Sequence, residues 1–381
     1  MSAPFTVAEL QTLLGRPVRQ VLRAADRRAF RDRRVLITGA GGSVGSALAQ
    51  EVAACRPAQL TLVDHSEHHL FEIGRTLGDA APGVSVDLQL ADITRSGLVQ
   101  RVWRTASPDV VFHAAAYKHV AMLERDVCAA AAVNVLGTAH VAKASRAANA
   151  RLVLVSSDKA ASPRSVMGAT KRLAELVALA AAADRFRPIV VRFGNVLGSS
   201  GSLLTILRDC IRQGRPLPIT DPQATRYFMT AGEAVSLVMK ADVLARRPEI
   251  YWLDMGAPVA IGEIAARMLA LEARAGYPPV PGEVIGLRAG EKLREELTAQ
   301  GLRLTATSHR RVWVARQRAA DLGVVRRVVE RLRPAVEEGD ARLVLDLLVA
   351  AVPGYEPSAE AGAAATRQSG PVRRLPLVQS A

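Results

Sequence analysis

The chain has 381 residues, of which 49% are hydrophobic, so it can bury more core than one compact unit holds and we expect two lobes. Its three cysteines, Cys55, Cys128 and Cys210, are far apart, which argues against a disulfide framework and a zinc site. No charge-free apolar run reaches membrane-spanning length, and the first twenty residues lack the features of a signal sequence, so we predict a cytoplasmic protein without a membrane span.

Most of the positive charge lies near the two ends of the chain. The net charge is +14; residues 1–34 carry eight Arg against three acidic residues, and residues 301–334 carry nine Arg against two. We interpret both segments as solvated or oligomer-facing helix surfaces and expect a homo-oligomer. Aromatic side chains for base stacking are scarce in both segments, so no nucleic acid partner is expected. The alternative to a solvated or oligomer-facing surface is peripheral association with an anionic membrane.

From residue 34 the sequence alternates short apolar segments with amphipathic ones, which is typical of an α/β fold with a Rossmann-like, doubly wound parallel sheet. We predict this domain over residues 34–194, after a basic helical segment over residues 1–33. The clearest predicted helices are 43–54 and about 127–149. The predicted strands are VLIT (35–38), LTLVD (60–64), VDLQLAD (86–92), DVVFHAA (109–115), RLVLVSS (151–157) and PIVVRF (188–193).

After Phe193 the alternation gives way to loops containing Gly, Ser and Pro and to shorter elements. We predict a smaller mixed α/β substrate-binding lobe over residues 195–316, with some crossing of the chain between the lobes. Its predicted elements are helices 202–213 and 231–244 and strand 250–254. Residues 317–352 are predicted to be helical. From residue 353 Ala, Pro, Gly and Ser dominate, which predicts a disordered tail over residues 353–381.

The segment 38-TGAGGSVG-45 joins the first predicted strand to a helix, with Gly39, Gly42 and Gly45 in G-x-x-G-x-x-G spacing. Such glycines let the backbone approach a pyrophosphate, which lies at the positive end of the following helix. Asp64 closes the second strand, where a carboxylate binds ribose hydroxyls and repels a 2′-phosphate, so we predict NAD rather than NADP. Asp64 can also act as the N-cap of the helix that starts near Ser66. For Asp92, a capping or turn role is as good an interpretation as contact with adenine. The other predicted cofactor residues are Thr38, Ser43, Val44, Ile93, Ala114 and Lys171.

The motifs TGAGGSVG, LVDHSE, HAAAYKHV, NVLGT, SSDKA, VMGATKR, VRFGNVLGSSGS, RYFMT and GLRAGEKLREEL follow one another along the chain, after the opening 12-TLLGRPV-18. Over residues 12–310 this order resembles the extended short-chain dehydrogenase/reductases, specifically the UDP-N-acetylglucosamine 4,6-dehydratases of polysaccharide and glycan biosynthesis. The resemblance implies an NAD-dependent lyase acting on a UDP-N-acetylhexosamine, in the Met-bearing, configuration-retaining branch. In longer members TLLGRPV follows membrane helices, so this chain resembles a free catalytic portion. It departs from the family pattern at Ser157, Ala289 and Arg294.

Met167 stands where most such relatives have a catalytic Tyr, and a thioether has no proton to exchange. Lys171, four residues later on the same helix face, is expected to bind the nicotinamide ribose. Asp158 and Lys159 follow the carboxyl end of a strand, where open parallel sheets bind their ligands. We predict that Asp158 serves the 4- and 6-hydroxyl groups of the sugar. Lys159, with a pKa lowered by burial and by Lys171, is predicted to take the carbon-5 proton.

Polar residues elsewhere complete the predicted site. Ser157, or its neighbour Ser156, is expected to polarise the 4-oxygen, while His113, His119 and Asn134 are interpreted as structural. Two other functions stay open: a sugar-nucleotide 4-epimerase, which needs no acid for a leaving hydroxyl, and a non-catalytic NAD-sensing protein. The predicted substrate-binding residues, with the arginines for the diphosphate, are Lys118, Asn195, Ser202, Arg226, Arg288 and Glu291.

Overall fold

The alternating segments form strands and helices in a computed structural model, which describes residues 5–19, 21–199, 201–296, 303–316 and 322–368. A π-helical turn, Ala132–Gly137, joins two of the helices. The strands are β1 (Arg34–Thr38), β2 (Gln59–Asp64), β3 (Val86–Leu90), β4 (Val110–His113), β5 (Arg151–Ser157), β6 (Ile189–Phe193), β7 (Asn195–Val196), β8 (Leu217–Ile219), β9 (Thr225–Arg226), β10 (Phe228–Met229), β11 (Ile250–Leu253), β12 (Val259–Ala260), β13 (Gly282–Val284), β14 (Arg303–Ala306) and β15 (Val312–Arg316). The helices are α1 (Val7–Leu14), α2 (Ala24–Arg27), α3 (Ser43–Ala53), α4 (Glu67–Ala80), α5 (Ser96–Ala106), α6 (Val120–Leu123), α7 (Val127–Ala131), α8 (Thr138–Ala147), α9 (Val166–Ala180), α10 (Leu203–Arg212), α11 (Ala231–Leu244), α12 (Ile261–Arg274), α13 (Leu322–Glu337), α14 (Ala341–Ala351) and α15 (Ala359–Gln368).

A nine-stranded sheet of order β14-β15-β11-β6-β5-β4-β1-β2-β3 is the centre of the fold. The strands from β3 to β11 pair in parallel, and β15 and β14 continue the sheet in antiparallel pairs. Val35, Leu36 and Ile37 of β1 are all buried, because helices cover both faces of a doubly wound sheet. The predicted fold class is confirmed, and β14 and β15 bring residues 303–316 back to this sheet.

The register of β5 and β6 positions the residues that follow them. These strands run side by side with Ser157 opposite Phe193. Their carboxyl ends therefore deliver Asp158 and Asn195 to one edge of the sheet. The Gly-rich loop after β1 opens at the same edge, since all these strands run in the same direction.

Short strand pairs build the second lobe. β7 pairs with β10 and β8 with β13 in parallel, whereas β9 and β12 pair antiparallel. The apolar faces of α1, α10 and α12 pack around Leu207, Ile264 and Met268. Arg16, just after α1, donates to the buried carboxylate of Glu233 at 2.8 Å. The N-terminal segment is thus anchored to α11.

Three helices near the C-terminus cover one side of the sheet domain. α13 and α14 pack on α7 and α9, and α13 also packs on the π-helical turn, through apolar residues that include Met167, Leu332 and Leu348. α15 packs on α14. The prediction of disorder from residue 353 is therefore wrong for α15, whose Ala361 and Ala365 are fully buried. An Ala-rich segment has high helix propensity and becomes ordered once it has a surface to pack on. Residues 369–381 of that predicted tail, and residues 317–321 of the predicted helical region, lie outside the described residues.

Among the described residues, one helical stretch is long and apolar enough to cross a membrane. The residues Val127–Ala147 reach a mean hydropathy of 1.3, but 61% of the window is buried inside the protein. Contacts of this stretch with α9 and α13 account for its apolar composition. It is thus explained as a core helix.

Candidate active site

The Gly-rich segment that runs from β1 into α3 leaves no room for side chains at Gly39, Gly41 and Gly45. Gly39 has a φ of +67°, and a Cβ there would lie 2.7 Å from the backbone of Ala115. A Cβ on Gly45 would overlap the carbonyl oxygen of Gly39, so loop and helix touch backbone to backbone. Gly42 is the N-cap of α3 and makes no side-chain cap hydrogen bond, and the N-terminus of a helix carries the positive end of its dipole. This end of α3 can therefore hold a phosphate group.

Asp64, buried at the end of β2, organises the other side of the loop. Its Oδ2 accepts a hydrogen bond from Gly41 N at 2.9 Å, and its Oδ1 accepts one from Ser66 N at 3.0 Å. The carboxylate therefore lies at the loop and also leads into α4, where Ser66 is the N-cap. Sequence analysis did not single out Gly41, although a Cβ on it would collide with His69.

The other predicted cofactor residues contribute unequally. The Thr38 hydroxyl lies 2.7 Å from His113 Nδ1, and His113 Nε2 lies 3.0 Å from Thr138 Oγ1. Burial lowers the pKa of His113 to about 3, so this ring is neutral and structural, as predicted. Asp92 accepts from Thr94 N at 2.8 Å, which is a turn contact. The remaining positions follow the same edge of the sheet: Val44 in α3, Ile93 after β3 and Ala114 after β4.

The turn after β5 places Asp158 and Lys159 at the edge of the sheet. Asp158 is 1% exposed, and its Oδ1 accepts from Ser157 Oγ at 2.9 Å and from Lys159 Nζ at 3.0 Å. Its Oδ2 is buried without a hydrogen-bond partner among the described residues. Because an unpaired buried carboxylate oxygen is costly, this atom is suited to accept a hydrogen bond from a ligand hydroxyl.

The amine of Lys159 lies between two carboxylates. Its Nζ is 3.0 Å from Asp158 Oδ1 and 3.3 Å from Glu295 Oε1, and it donates to Asn195 Oδ1 at 3.3 Å. Burial alone lowers the pKa of Lys159, but the charges of Asp158 and Glu295 outweigh burial and hold that pKa above its ordinary value. The predicted lowering of this pKa is wrong, because carboxylates rather than Lys171 surround the amine.

The segment that carries Glu295 was only partly predicted. Thr225 N donates to Leu293 O at 2.9 Å, so this segment runs along β9 before it reaches Lys159. Arg226 Nε lies 3.8 Å from Glu295 Oε1. The structure therefore brings the predicted Arg226 to this cluster and adds Glu295, which sequence analysis missed.

The other predicted substrate residues make local contacts. Arg288 is exposed, and its backbone N–H donates to the Glu291 carboxylate at 3.2 Å, which closes a turn. Ser202 precedes α10 with its hydroxyl 3.4 Å from Thr205 Oγ1, and Lys118 is exposed after β4. For these positions a role toward substrate stays a prediction.

A buried ion pair lies beneath the 158–159 turn. Arg192 and Glu175 are both fully buried and are joined by hydrogen bonds of 2.7 and 2.5 Å. Ser156 Oγ donates to Glu175 at 2.6 Å, and Arg192 donates to the Ala160 carbonyl at 3.3 Å, so the pair holds the turn from both sides. The expectation that Ser156 polarises a substrate oxygen is wrong, since its hydroxyl is bound to Glu175.

Met167 and Lys171 lie on α9, close to the same turn. Met167 is 4% exposed and packs in the apolar cluster beneath the C-terminal helices. Lys171 Nζ donates to the Val155 carbonyl at 2.7 Å, and burial lowers the pKa of Lys171 to about 8. Tyr227 of the second lobe lies within electrostatic reach of Asp158, but burial and that carboxylate raise the pKa of Tyr227. It is therefore a poor replacement for the missing catalytic tyrosine.

Asn134 has the structural role that was predicted. Its side-chain amide accepts from Tyr117 N at 2.8 Å and donates to Thr170 Oγ1 at 3.1 Å, which ties the segment after β4 to α9. Within the described ranges, no group of three or more His, Cys, Asp or Glu side chains is arranged to hold a metal ion.

The chain is similar to proteins of polysaccharide biosynthesis. Residues 35–317 match the family model described as polysaccharide biosynthesis protein. The chain is 38% identical over 296 residues to the capsular polysaccharide biosynthesis protein CapD of Staphylococcus aureus, a match that covers 76% of this chain and 49% of CapD. It thus spans about half the length of that protein.

Two further similarities concern a curated enzyme and a solved structure. The chain is 29% identical over 273 residues to a Campylobacter jejuni protein named UDP-N-acetylglucosamine 4,6-dehydratase (inverting), covering 70% of this chain and 77% of that one. The X-ray structure of Pen from Bacillus thuringiensis superposes with a TM-score of 0.68 at 28% identity, covering 77% of this chain and 89% of Pen.

Proposed function

Because the chain belongs to the polysaccharide biosynthesis protein family, we propose that it is an NAD-dependent 4,6-dehydratase of a UDP-N-acetylhexosamine, with UDP-N-acetylglucosamine as the preferred substrate. The product is the 4-keto-6-deoxy sugar nucleotide. The observation that carries this proposal is the buried Oδ2 of Asp158, which has no hydrogen-bond partner among the described residues and lies in the same carboxylate that pairs with the amine of Lys159. A hydroxyl acceptor next to a second proton-transfer group is what removal of water from a sugar requires.

The residues around the Gly-rich loop fit NAD. The backbone contact of Gly39 and Gly45 leaves room for a pyrophosphate at the start of α3, and Asp64 lies where a ribose would meet a carboxylate. Lys171 is suited to the nicotinamide ribose, as the family resemblance implies. When bound, NAD would supply the hydride exchange that carbons 4 and 6 of the sugar require.

Asp158 handles the protons of both hydroxyl groups. Its Oδ2 accepts the proton of the 4-hydroxyl as carbon 4 becomes a ketone, and the neutral acid then donates that proton to the departing 6-hydroxyl. Ser157, bound to Oδ1 at 2.9 Å, holds the carboxyl group so that Oδ2 stays available. Since the proton removed from one hydroxyl leaves with the other as water, Asp158 ends the cycle ionised.

Lys159 is the base for the carbon-5 proton, which the adjacent ketone makes acidic. As an amine it takes this proton, and as an ammonium it returns a proton to the same face of the sugar after water has left. A single base on one face gives retention at carbon 5, in line with the Met-bearing branch that Met167 resembles. We therefore assign the product to the xylo series.

One incubation discriminates this proposal from its alternatives. The purified chain is incubated with UDP-N-acetylglucosamine and NAD, and the nucleotide sugar is analysed by mass spectrometry and NMR. Loss of the mass of one water with a new 6-methyl signal supports the dehydratase. An isobaric isomer supports a 4-epimerase instead, and unchanged substrate with bound NAD supports a non-catalytic sensor. Formation of the arabino product overturns the assignment of Lys159 as the single base that removes and returns the carbon-5 proton on one face of the sugar.

A further inference from the structure

The position of Glu295 points to a role that neither the sequence nor the resemblance assigns. Its side chain is 4% exposed, and its Oε1 forms an ion pair with Lys159 Nζ at 3.3 Å, so a small tightening of this contact would allow direct proton transfer. Among the described residues, Asp158 and Glu295 are the carboxylates that contact this amine. We propose that Glu295 is a positioning residue, an inference that rests on the proposed function. Glu295 holds Lys159 as an ammonium and then receives a proton from it, so that Lys159 can act as a base.

The need for such an acceptor follows from the charge state of Lys159. An ammonium has no lone pair, so it cannot take the carbon-5 proton until it has lost a proton itself. Asp158 is unavailable as the acceptor, because it already carries the 4-hydroxyl proton at that stage. The amide of Asn195 and the guanidinium of Arg226, which also face Lys159, are not proton acceptors. In the part of the chain that the structure describes, Glu295 is the remaining carboxylate that contacts Lys159.

The sequence of transfers balances. When Asp158 becomes neutral, one of the two negative charges that hold the ammonium is lost. An N–H bond of Lys159 then breaks and an O–H bond of Glu295 forms, which gives a neutral amine beside a neutral acid. The amine takes the carbon-5 proton, later returns a proton to carbon 5, and recovers its own proton from Glu295. The site ends with the same charges with which it began.

The local backbone explains how Glu295 is held at this distance. Thr225 and Arg294 form a parallel bridge, and Arg226 Nη1 donates to Leu293 O at 3.3 Å, so the residues just before Glu295 are tied to β9. The neighbouring Glu296 has a side chain that is 53% exposed and lies 3.8 Å from Lys292. Glu296 is thus a matched control, one residue away and outside the cluster.

The test compares Glu295→Gln with Glu296→Gln in the full chain by two measurements. The first, independent of turnover, is the pH dependence of Lys159 acetylation by acetic anhydride, followed by peptide mass spectrometry. Removing the charge of Glu295 should move the reaction midpoint of Lys159 to lower pH, while Glu296→Gln should match the wild type. An unchanged midpoint overturns the proposal that Glu295 stabilises the ammonium form of Lys159. The acetylation measurement does not require turnover of UDP-N-acetylglucosamine. Failure of the proposed function can therefore be distinguished from failure of the proposed role of Glu295.

The second measurement is the pH dependence of kcat. In the wild type the proton stays inside the site, so kcat should be flat around neutral pH. In Glu295→Gln the proton of Lys159 must leave to solvent, so kcat should fall by about 10²-fold or more at pH 7 and rise about tenfold per pH unit above it. A variant profile parallel to that of the wild type overturns the transfer step. If the Gln variant does not fold, Glu295→Asp should give a smaller midpoint shift in the same direction, and no shift there contradicts the proposal.

Discussion

Replacing Arg192 by Met breaks the buried ion pair beneath the 158–159 turn, and the structure sets the size of the effect. Arg192 and Glu175 are fully buried and share hydrogen bonds of 2.7 and 2.5 Å. Removing one partner leaves a buried carboxylate poorly compensated, which lowers the free energy of unfolding by about 3–5 kcal/mol. Arg172 donates to the same carboxylate at 3.0 Å from a side chain that is 17% exposed, so it offsets only part of this loss.

Urea unfolding of a matched set of variants measures this effect. Arg192→Met should lower the midpoint strongly, whereas Arg172→Met, which leaves the buried pair intact, should cost about 1 kcal/mol. The double variant Glu175→Met with Arg192→Met should recover much of the loss, since apolar residues of similar volume replace the pair. The reasoning is refuted if Arg192→Met lies within about 1 kcal/mol of the wild type, or if the double variant is no more stable than the single one.

Three further predictions concern the cofactor loop and the turn after β5. Asp158→Asn should lower kcat by about 10²-fold or more with NAD affinity unchanged, and Met167→Ala should be milder; near-normal turnover of the Asn variant in a steady-state assay would remove Asp158 from the mechanism. Asp64→Ala should relax the preference for NAD toward NADP in a calorimetric titration, and tighter binding of NADP by the wild type would contradict the role of Asp64. Gly45→Ala should weaken NAD binding by about tenfold or more, because its Cβ would overlap the Gly39 carbonyl, whereas Gly78→Ala, with open space around its Cβ, should bind NAD normally. Equal affinity of the two glycine variants would show that the loop tolerates a side chain.

The sheet and the place of the site could be predicted because their signals are local. Parallel strands covered on both faces appear in the sequence as short apolar runs, and β1, β5 and β6 were each found within a residue or two. Once those strands are assigned, the parallel topology places whatever follows them at one edge. Asp158 and Lys159 could therefore be located, although nothing local indicated what would surround them.

Glu295 could not be found in this way because its contact with Lys159 depends on long-range pairing. The segment GLRAGEKLREEL contains Glu291, Glu295 and Glu296, and no periodicity separates them. Hydrogen bonds between Leu293 and β9 fix the path of this segment. As a result Glu295 is buried and its neighbour Glu296 is exposed. The shift in the pKa of Lys159 was mispredicted for the same reason. Whether this pKa is raised or lowered depends on which carboxylates the fold places beside the amine.

Ser156 and Ser157 show a smaller limit of the same kind. Successive side chains of a strand point to opposite faces, so at most one of these two hydroxyls could face a ligand. The sequence does not say which face of β5 meets α9. In the structure Ser156 bonds to Glu175 of that helix, and Ser157 is left to bond to Asp158.

The substitution at Met167 is consistent with acid–base chemistry that has moved from α9 to the turn after β5. A phenol has an ordinary pKa near 10 and needs a neighbouring cation to ionise at neutral pH, whereas a carboxylate is ionised without help. With Asp158 as the hydroxyl acceptor, the position on α9 no longer has to present a proton-transfer group. Met167 can then pack in the apolar cluster beneath the C-terminal helices, where a buried phenol would need a hydrogen-bond partner. Lys171 stays on the helix without a tyrosine to activate, and in the structure its amine donates to the Val155 carbonyl at 2.7 Å.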